Sequence, residues 1–489
     1  MKRIFFLMLA LCLASPGMGQ VRLPSILGSG MVLQRNCGVN IWGWAEPGRR
    51  IVVTPSWSAQ SHTTRTDGNG RWRVQIPTPD AGGPYTLTID DGEPVTLDDI
   101  LIGEVWLCSG QSNMEMPLRG FDSQPVHGAL EAAMQAGGYP GIRLFKVARA
   151  TASAPQEDCT GRWEVSSMRS AADFSAVGYY FGLALFRALG IPVGLVESDW
   201  GATRIETWMS AAAAQGVDSG ILATDAAHDA QNRVGALYNA MIRPLAPYTL
   251  RGFIWYQGES NKGFHAKYPR DMAAMAAAWR ATWESDERMP FYYVQLAPFD
   301  YDIPMHRFRN ERNPILLPLM VEAQLRALEL IPNADMAVNT DLGSAVEIHP
   351  PRKDLVGQRL ALLALTGTYG CTGIDSRGPQ FEDVVFDGGK AVVTFRSNST
   401  LHPVDTPLKG FEIAGADRVF HPAEARVIHR GYEFSRQVEV RSADVSAPVA
   451  VRYAFRNVVG EVNLMNTAGL PAFPFRTDTW DDIGPAKRQ

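Results

Sequence analysis

Along residues 21–98 apolar and polar positions change every residue or two, the period of half-buried strands and not of helices. Met31 to Leu33, Val39 to Trp42 and Trp72 to Ile76 gather the strand-forming residues. Asp67-Gly68-Asn69-Gly70 predicts a hairpin turn between Ser61 to Arg65 and Trp72 to Ile76. From about residue 99 the pattern lengthens. Ile102 to Ser109 is a compact apolar run ending in a tight turn at Gly110, and Phe174 to Leu189 has helical spacing closed by Gly190. Ile191 to Val196, Phe253 to Tyr256, Phe291 to Leu296 and Met336 to Thr340 read as buried strands; Met272 to Trp283, Leu317 to Leu330 and Arg352 to Leu365 read as helices. Strands alternating with helices predict a three-layer α/β domain on a parallel sheet. Beyond about residue 370 the strand period returns at Val384 to Phe386, Ala391 to Phe395, Gln437 to Val440 and Val449 to Ala454. The predicted layout is a β-rich domain over 20–98, an α/β domain over 99–370 and a second β-rich domain over 371–489.

Residues 1–19 stand apart from these patterns. Met1-Lys2-Arg3 is a basic start, Ile4 to Leu13 an apolar run and Gly17-Met18-Gly19 a small-x-small cleavage site. Together they predict a secretory signal cut before Gln20, and so a periplasmic or extracellular protein. The apolar run is too short to span a bilayer, and a lipoprotein reading through Cys12 meets Leu11 where a small residue is wanted. No later segment reads as transmembrane.

Composition narrows the class further. The 489 residues exceed one ordinary domain, and 46% hydrophobic against 20% charged residues is a globular balance. A net charge of −5 carries no basic surplus for nucleic acid or an anionic membrane. Cys37, Cys108, Cys159 and Cys371 remain after cleavage, with no CxxC pair; one disulfide or four small buried residues both fit. The nine histidines are dispersed without HExxH spacing, so no metal site and no cofactor is expected. Oligomeric state is left open.

Four polar stretches follow α/β strands. In Val105 to Met114 (VWLCSGQSNM) a buried strand runs into a Gly-x-Ser turn, which can lift Ser112 above the carboxyl edge of a parallel sheet, where such sheets bind ligands. A serine hydroxyl needs a neighbouring base to become a nucleophile. Glu347-Ile348-His349-Pro350 follows the last α/β strand and puts His349 on a loop able to reach it. Trp255 to Asn261 (WYQGESN) empties an aromatic strand into amide and acid side chains that can supply donors to an oxyanion, or can simply cap a helix. Asp199 to Trp208 (DWGATRIETW) contains Gly201, where the missing Cβ lets a backbone N–H approach a reacting carbonyl.

At these words the sequence resembles the sialate O-acetylesterase family of the SGNH hydrolase superfamily. Ser109 to Met114 (SGQSNM), Trp200 to Trp208, Leu237 to Ile242 (LYNAMI), Trp255 to Asn261 and Ile348-His349-Pro350 carry the likeness. Gly410 to Gly415, Val451 to Tyr453 and Pro474 to Asp478 extend it to nearly the whole mature chain. The resemblance implies a flavodoxin-like SGNH three-layer sandwich with flanking β-rich domains. It implies Ser112 as nucleophile, His349 as base, and an oxyanion hole from the N–H groups of Ser112 and Gly201 with the side chain of Gln257 or Asn261. The superfamily usually has an aspartate three residues before the histidine, where this chain has Val346. Glu347, Asp341 or a backbone carbonyl are the alternatives for orienting His349.

The implied reaction is two-step acyl transfer from an acetylated carbohydrate, without a cofactor. Trp200, Trp208, Trp255 and Tyr256 are expected either to wall a sugar face or to fill the core, and Arg204 either to pair with a sialate carboxylate or to hold Glu206. Acetylated sialic acid, xylan and xyloglucan all fit as substrates. An inactive, carbohydrate-binding esterase core is the alternative from another class.

Overall fold

The structure is a computed structural model that describes residues 21–215, 230–285, 288–301, 314–429 and 435–481. The expected signal segment lies outside the described residues. No helix among the described residues is long and apolar enough to cross a membrane.

The centre of the molecule is a parallel sheet built on one long strand, β1 (Val95–Gly110). With β2 (Ile142–Lys146), β3 (Val193–Asp199), β4 (Gly252–Tyr256), β5 (Phe291–Val294) and β6 (Ala334–Ala337) it runs in the order 2-3-1-4-5-6. Trp163–Val165 adds an antiparallel edge beside β2. Strands covered on both faces read as nearly continuous apolar runs, and β3, β4 and β5 are buried throughout, with polar residues only at the carboxyl end of β3. Alternation sorts their side chains. Phe253, Trp255 and Phe291 turn to Trp279 of α3 (Tyr268–Thr282), and Tyr293 donates to Gln324 O on α4 (Leu316–Leu330). On the other face Trp106 packs on Tyr292 and on Phe181 of α2 (Ala176–Leu189), which lies against α5 (Lys353–Gly367). Three layers result, as the α/β reading expects.

The N-terminal strands are continuous with this sheet. The first half of β1 pairs antiparallel with Gly82–Asp90, and its second half pairs parallel with β3 and β4. The Asp67–Gly70 turn forms, but the predicted hairpin does not. His62–Arg65 pairs with Arg50–Pro55, whereas Arg71–Pro77 pairs with Gly38–Trp44. Burial explains the switch: Trp72 and Ile76 share a core with Val39 and Ile41, while no residue of His62–Arg65 is buried.

Past residue 370, two four-stranded antiparallel sheets enclose a core of their own, with Val393, Phe395, Ile413, Val438 and Tyr453 inside. The four cysteines are unpaired. Cys108 lies inside the sheet, and burial pushes its thiol up.

Candidate active site

Register brings three loops to one point. Gly110 at the end of β1 stands level with Asp199 of β3 and with Tyr256 of β4. The segments that follow, 111–116, 200–208 and 257–261, therefore leave the carboxyl edge side by side. Gly110 has φ +148°, and a Cβ there would fall 2.1 Å from Tyr256 O. Only glycine lets the nucleophile strand close this tightly on β4 before turning into α1 (Ser112–Glu115). Within that turn Gln111 and Asn113 are buried and Ser112 is half-exposed. The serine is the side chain the turn presents to solvent.

Gly201 lies against it: a Cβ on Gly201 would sit 3.2 Å from Ser112 Cβ. The Gly201 N–H donates to Glu115 Oε2 at 2.6 Å, and Glu115 is paired in turn with Arg149, whose guanidinium lies 5.4 Å over the Trp200 ring. An anionic oxygen thus already occupies the donor expected to serve an oxyanion. Beside Arg149 opens a groove of about 730 Å³ lined by the 148–154 segment, Gln156 and Thr160.

His349 is half-buried on the loop after β6, with Phe121 edge-on at 5.3 Å. Its Nδ1 lies 2.5 Å from Gln124 Oε1. With the amide oxygen accepting, Nδ1 carries the proton and Nε2 keeps its lone pair. Burial, with Lys353 as a second cause, pushes the imidazole down to about 4. It is neutral at neutral pH, the state a base requires. No hydrogen bond joins His349 to Ser112 among the described residues; their loops are tied by Asn113 Nδ2, which donates to Ile348 O at 3.1 Å.

The other expected site residues are placed as follows. Among the described residues the Glu347 carboxylate makes no hydrogen bond to His349, because Gln124 from a distant loop fills that side of the ring. Asp341 is engaged by Arg359 through two bonds of 2.7 Å. Gln257 is fully buried and spends both amide hydrogens, on Thr203 O at 3.0 Å and Asn261 Oδ1 at 2.8 Å, while Tyr268 Oη donates to its Oε1. Asn261 accepts from Ile205 N and donates to Glu206 Oε2. The two amides hold the 203–206 segment in place, through Thr203 O, Ile205 N and the Glu206 carboxylate. Trp208, Trp255 and Tyr256 are fully buried, so the core reading holds for them; Trp200 and Arg204 are half-buried. Glu206 pairs with Lys267 at 2.5 Å, and Arg204 lies 5.9 Å over the Phe264 ring.

Sequence reasoning missed Gln124, Glu115 and Lys353. Glu115 lay three residues beyond the nucleophile, within reach of a helical-turn argument. Gln124 offered no signal, being a polar loop residue with no spacing to the histidine.

A serine presented at the carboxyl edge of a parallel sheet beside a glycine, on a turn tied to the loop that carries a histidine, is an arrangement an α/β hydrolase can use. Comparison with known proteins places it more closely. Residues 102–361 match the model of the carbohydrate esterase, sialic acid-specific acetylesterase family. The chain belongs to this carbohydrate esterase family and is a carboxylic ester hydrolase. It is 30% identical to the sialate O-acetylesterase of Rattus norvegicus, over 76% of this chain and 79% of that one. The Homo sapiens sialate O-acetylesterase is 28% identical, over 82% and 81%. A crystal structure described as a novel carbohydrate acetylesterase from Xanthomonas citri is 38% identical, with a TM-score of 0.83 over 94% of this chain and all of that one.

Proposed function

We propose that the protein removes O-acetyl groups from carbohydrates by acyl transfer through Ser112, with His349 as general base. Ser112 Oγ attacks the acetyl carbonyl carbon while its proton passes to His349 Nε2. The tetrahedral oxyanion is held by the N–H groups of Ser112 and Gly201, once Glu115 gives up the latter. Collapse breaks the bond to the sugar oxygen, which takes the proton from His349 and leaves an acetyl-serine. Water, deprotonated by the same nitrogen, releases acetate. Gln124 fixes the ring throughout. The observation that carries this reading is His349: neutral, pinned through Nδ1, on a loop tied to the Ser112 turn. Trp200, Arg204 and the groove beside Arg149 are the proposed sugar surface.

Export after cleavage before Gln20, and division at 98 and 370 into β-rich, hydrolase and β-rich parts, belong to the same proposal. The separate apolar core beyond residue 370 supports the second boundary.

The test is acetate release from acetylated sialic acid, xylan, xyloglucan and a small aryl acetate by the wild type and Ser112→Ala. Release by the wild type alone is expected, with a serine-directed phosphonate labelling Ser112. Label at Ser109 or Ser260, or activity retained by Ser112→Ala, overturns the assignment. Sugar binding without acetate release from any ester would make it a binding protein.

A further inference from the structure

Asn113, next to the proposed nucleophile, is 1% exposed, and both its amide hydrogens and its carbonyl oxygen are hydrogen-bonded. Its Nδ2 donates to Glu259 Oε1 at 2.5 Å and to Ile348 O at 3.1 Å, and its Oδ1 accepts from Lys353 Nζ at 2.5 Å. The three partners come from three segments: the loop after β4, the residue before His349, and the first residue of α5. One amide therefore gathers the nucleophile turn, the base loop and the helix behind it.

The outer pair is costly. Lys353 is fully buried, its ammonium 5.4 Å over the Tyr256 ring. It opens a helix, where the macrodipole disfavours a cation. Glu259 is 5% exposed, and its Oε2 meets no hydrogen-bond partner among the described residues. Buried charges and unpaired polar atoms weaken a fold unless another constraint retains them. Here both charges grip one amide from opposite ends.

We propose that Asn113, clamped between Lys353 and Glu259, is the positioning residue that holds Ser112 in register with His349. The inference rests on the acyl-transfer reading above. The groups set against the Lys353 ammonium are the Asn113 carbonyl and the Tyr256 ring, with Glu259 on the far side of the same amide.

The experiment uses the full chain with an aryl acetate, comparing Lys353→Met, Lys353→Arg, Glu259→Gln and Asn113→Ala, with thermal melts confirming the fold. A misplacement of about 1 Å in the reacting groups costs on the order of 10²-fold in rate. A kcat loss of that order with KM little changed is expected for Lys353→Met and Asn113→Ala, and phosphonate should label Ser112 more slowly in both. Lys353→Arg, which keeps a donor to the Asn113 carbonyl, should retain more of the wild-type kcat and labelling rate than Lys353→Met. A folded Lys353→Met with wild-type kcat and labelling rate overturns the proposal. If Lys353→Met does not fold, Asn113→Ala and Glu259→Gln decide: wild-type kcat and labelling rates in these overturn it equally. Ser112→Ala separates the two readings. If it stays active, the acyl-transfer reading fails; if it is dead while the clamp variants are unaffected, only the clamp fails.

Discussion

Gln124 Oε1 stands 2.5 Å from His349 Nδ1, so under the proposed reading the group that orients the base is a neutral amide and not a carboxylate. An amide fixes the tautomer as well as an acid would, but offers no full charge to the imidazolium formed during attack. Gln124→Ala should therefore lower kcat by about 10-fold or more, since positioned proton transfer is worth roughly 10²- to 10⁴-fold in all. Gln124→Glu should keep the tautomer, add the missing charge and raise the acid limb of kcat/KM. Steady-state kinetics across pH checks both, and a Gln124→Ala enzyme indistinguishable from wild type would remove Gln124 from the site.

The two acids nearest the histidine in sequence should separate cleanly. Glu347→Gln should leave turnover near wild type, because its carboxylate makes no bond to the ring. Asp341→Asn should spare the chemistry but weaken the two bonds to Arg359, which is mostly buried. Hydrogen bonds to charged groups are worth about 1.5–3 kcal/mol each, so a lowered Tm at near-normal kcat is expected. A large loss of kcat in Glu347→Gln would restore the glutamate to the triad.

How much of this was legible in the sequence depends on whether a signal was local. Apolar runs at Ile102 to Ser109 and Phe253 to Tyr256 marked parallel strands because burial on both faces leaves few polar positions, the charged exception Glu104 being held by Arg35 and Arg251. Ser112, Gly201 and His349 stood out because each follows such a strand. Partner choice was not local. The Asp67–Gly70 turn was readable, yet its flanking strands pair elsewhere, because cores shared with distant strands outweigh the turn. The orienter of His349 comes from Gln124, 225 residues away, and no spacing rule reaches that far. Gln257 is a related case: a motif shows which residues are present, while their hydrogen-bond partners, here Thr203 O and Asn261 Oδ1, are set by the fold.

Gln257 should behave as a structural residue. Its replacement by alanine takes the amide donor from Thr203 O in a dry interior and removes one of two partners from Asn261 Oδ1 and from Tyr268 Oη, and a buried group left unpaired costs about 1–3 kcal/mol. A marked fall in Tm is the expected result, with activity falling through disorder of the 203–206 segment beside Gly201. An unchanged Tm with a pure kcat loss of roughly 10²- to 10³-fold would instead return Gln257 to the oxyanion hole.

The pH dependence of catalysis follows from the state of His349. Burial and the Lys353 charge hold its imidazole neutral down to about 4, whereas an unfolded histidine titrates near about 6.5. Catalysis needs the unprotonated ring, so kcat/KM should stay level as pH falls through the ordinary histidine range and drop only near 4. Stability moves in the same sense. In the window between those two values the unfolded chain binds a proton that the folded chain refuses, so the contribution of this residue falls as pH drops from above the upper value to the lower. Steady-state rates on an aryl acetate, with phosphonate labelling of Ser112 followed over the same pH range, measure the limb twice. Both should report the same inflection near 4. A half-drop near about 6.5 in both would mean that the base is solvated like a free imidazole, and the buried, amide-pinned His349 would then not be the group that activates Ser112.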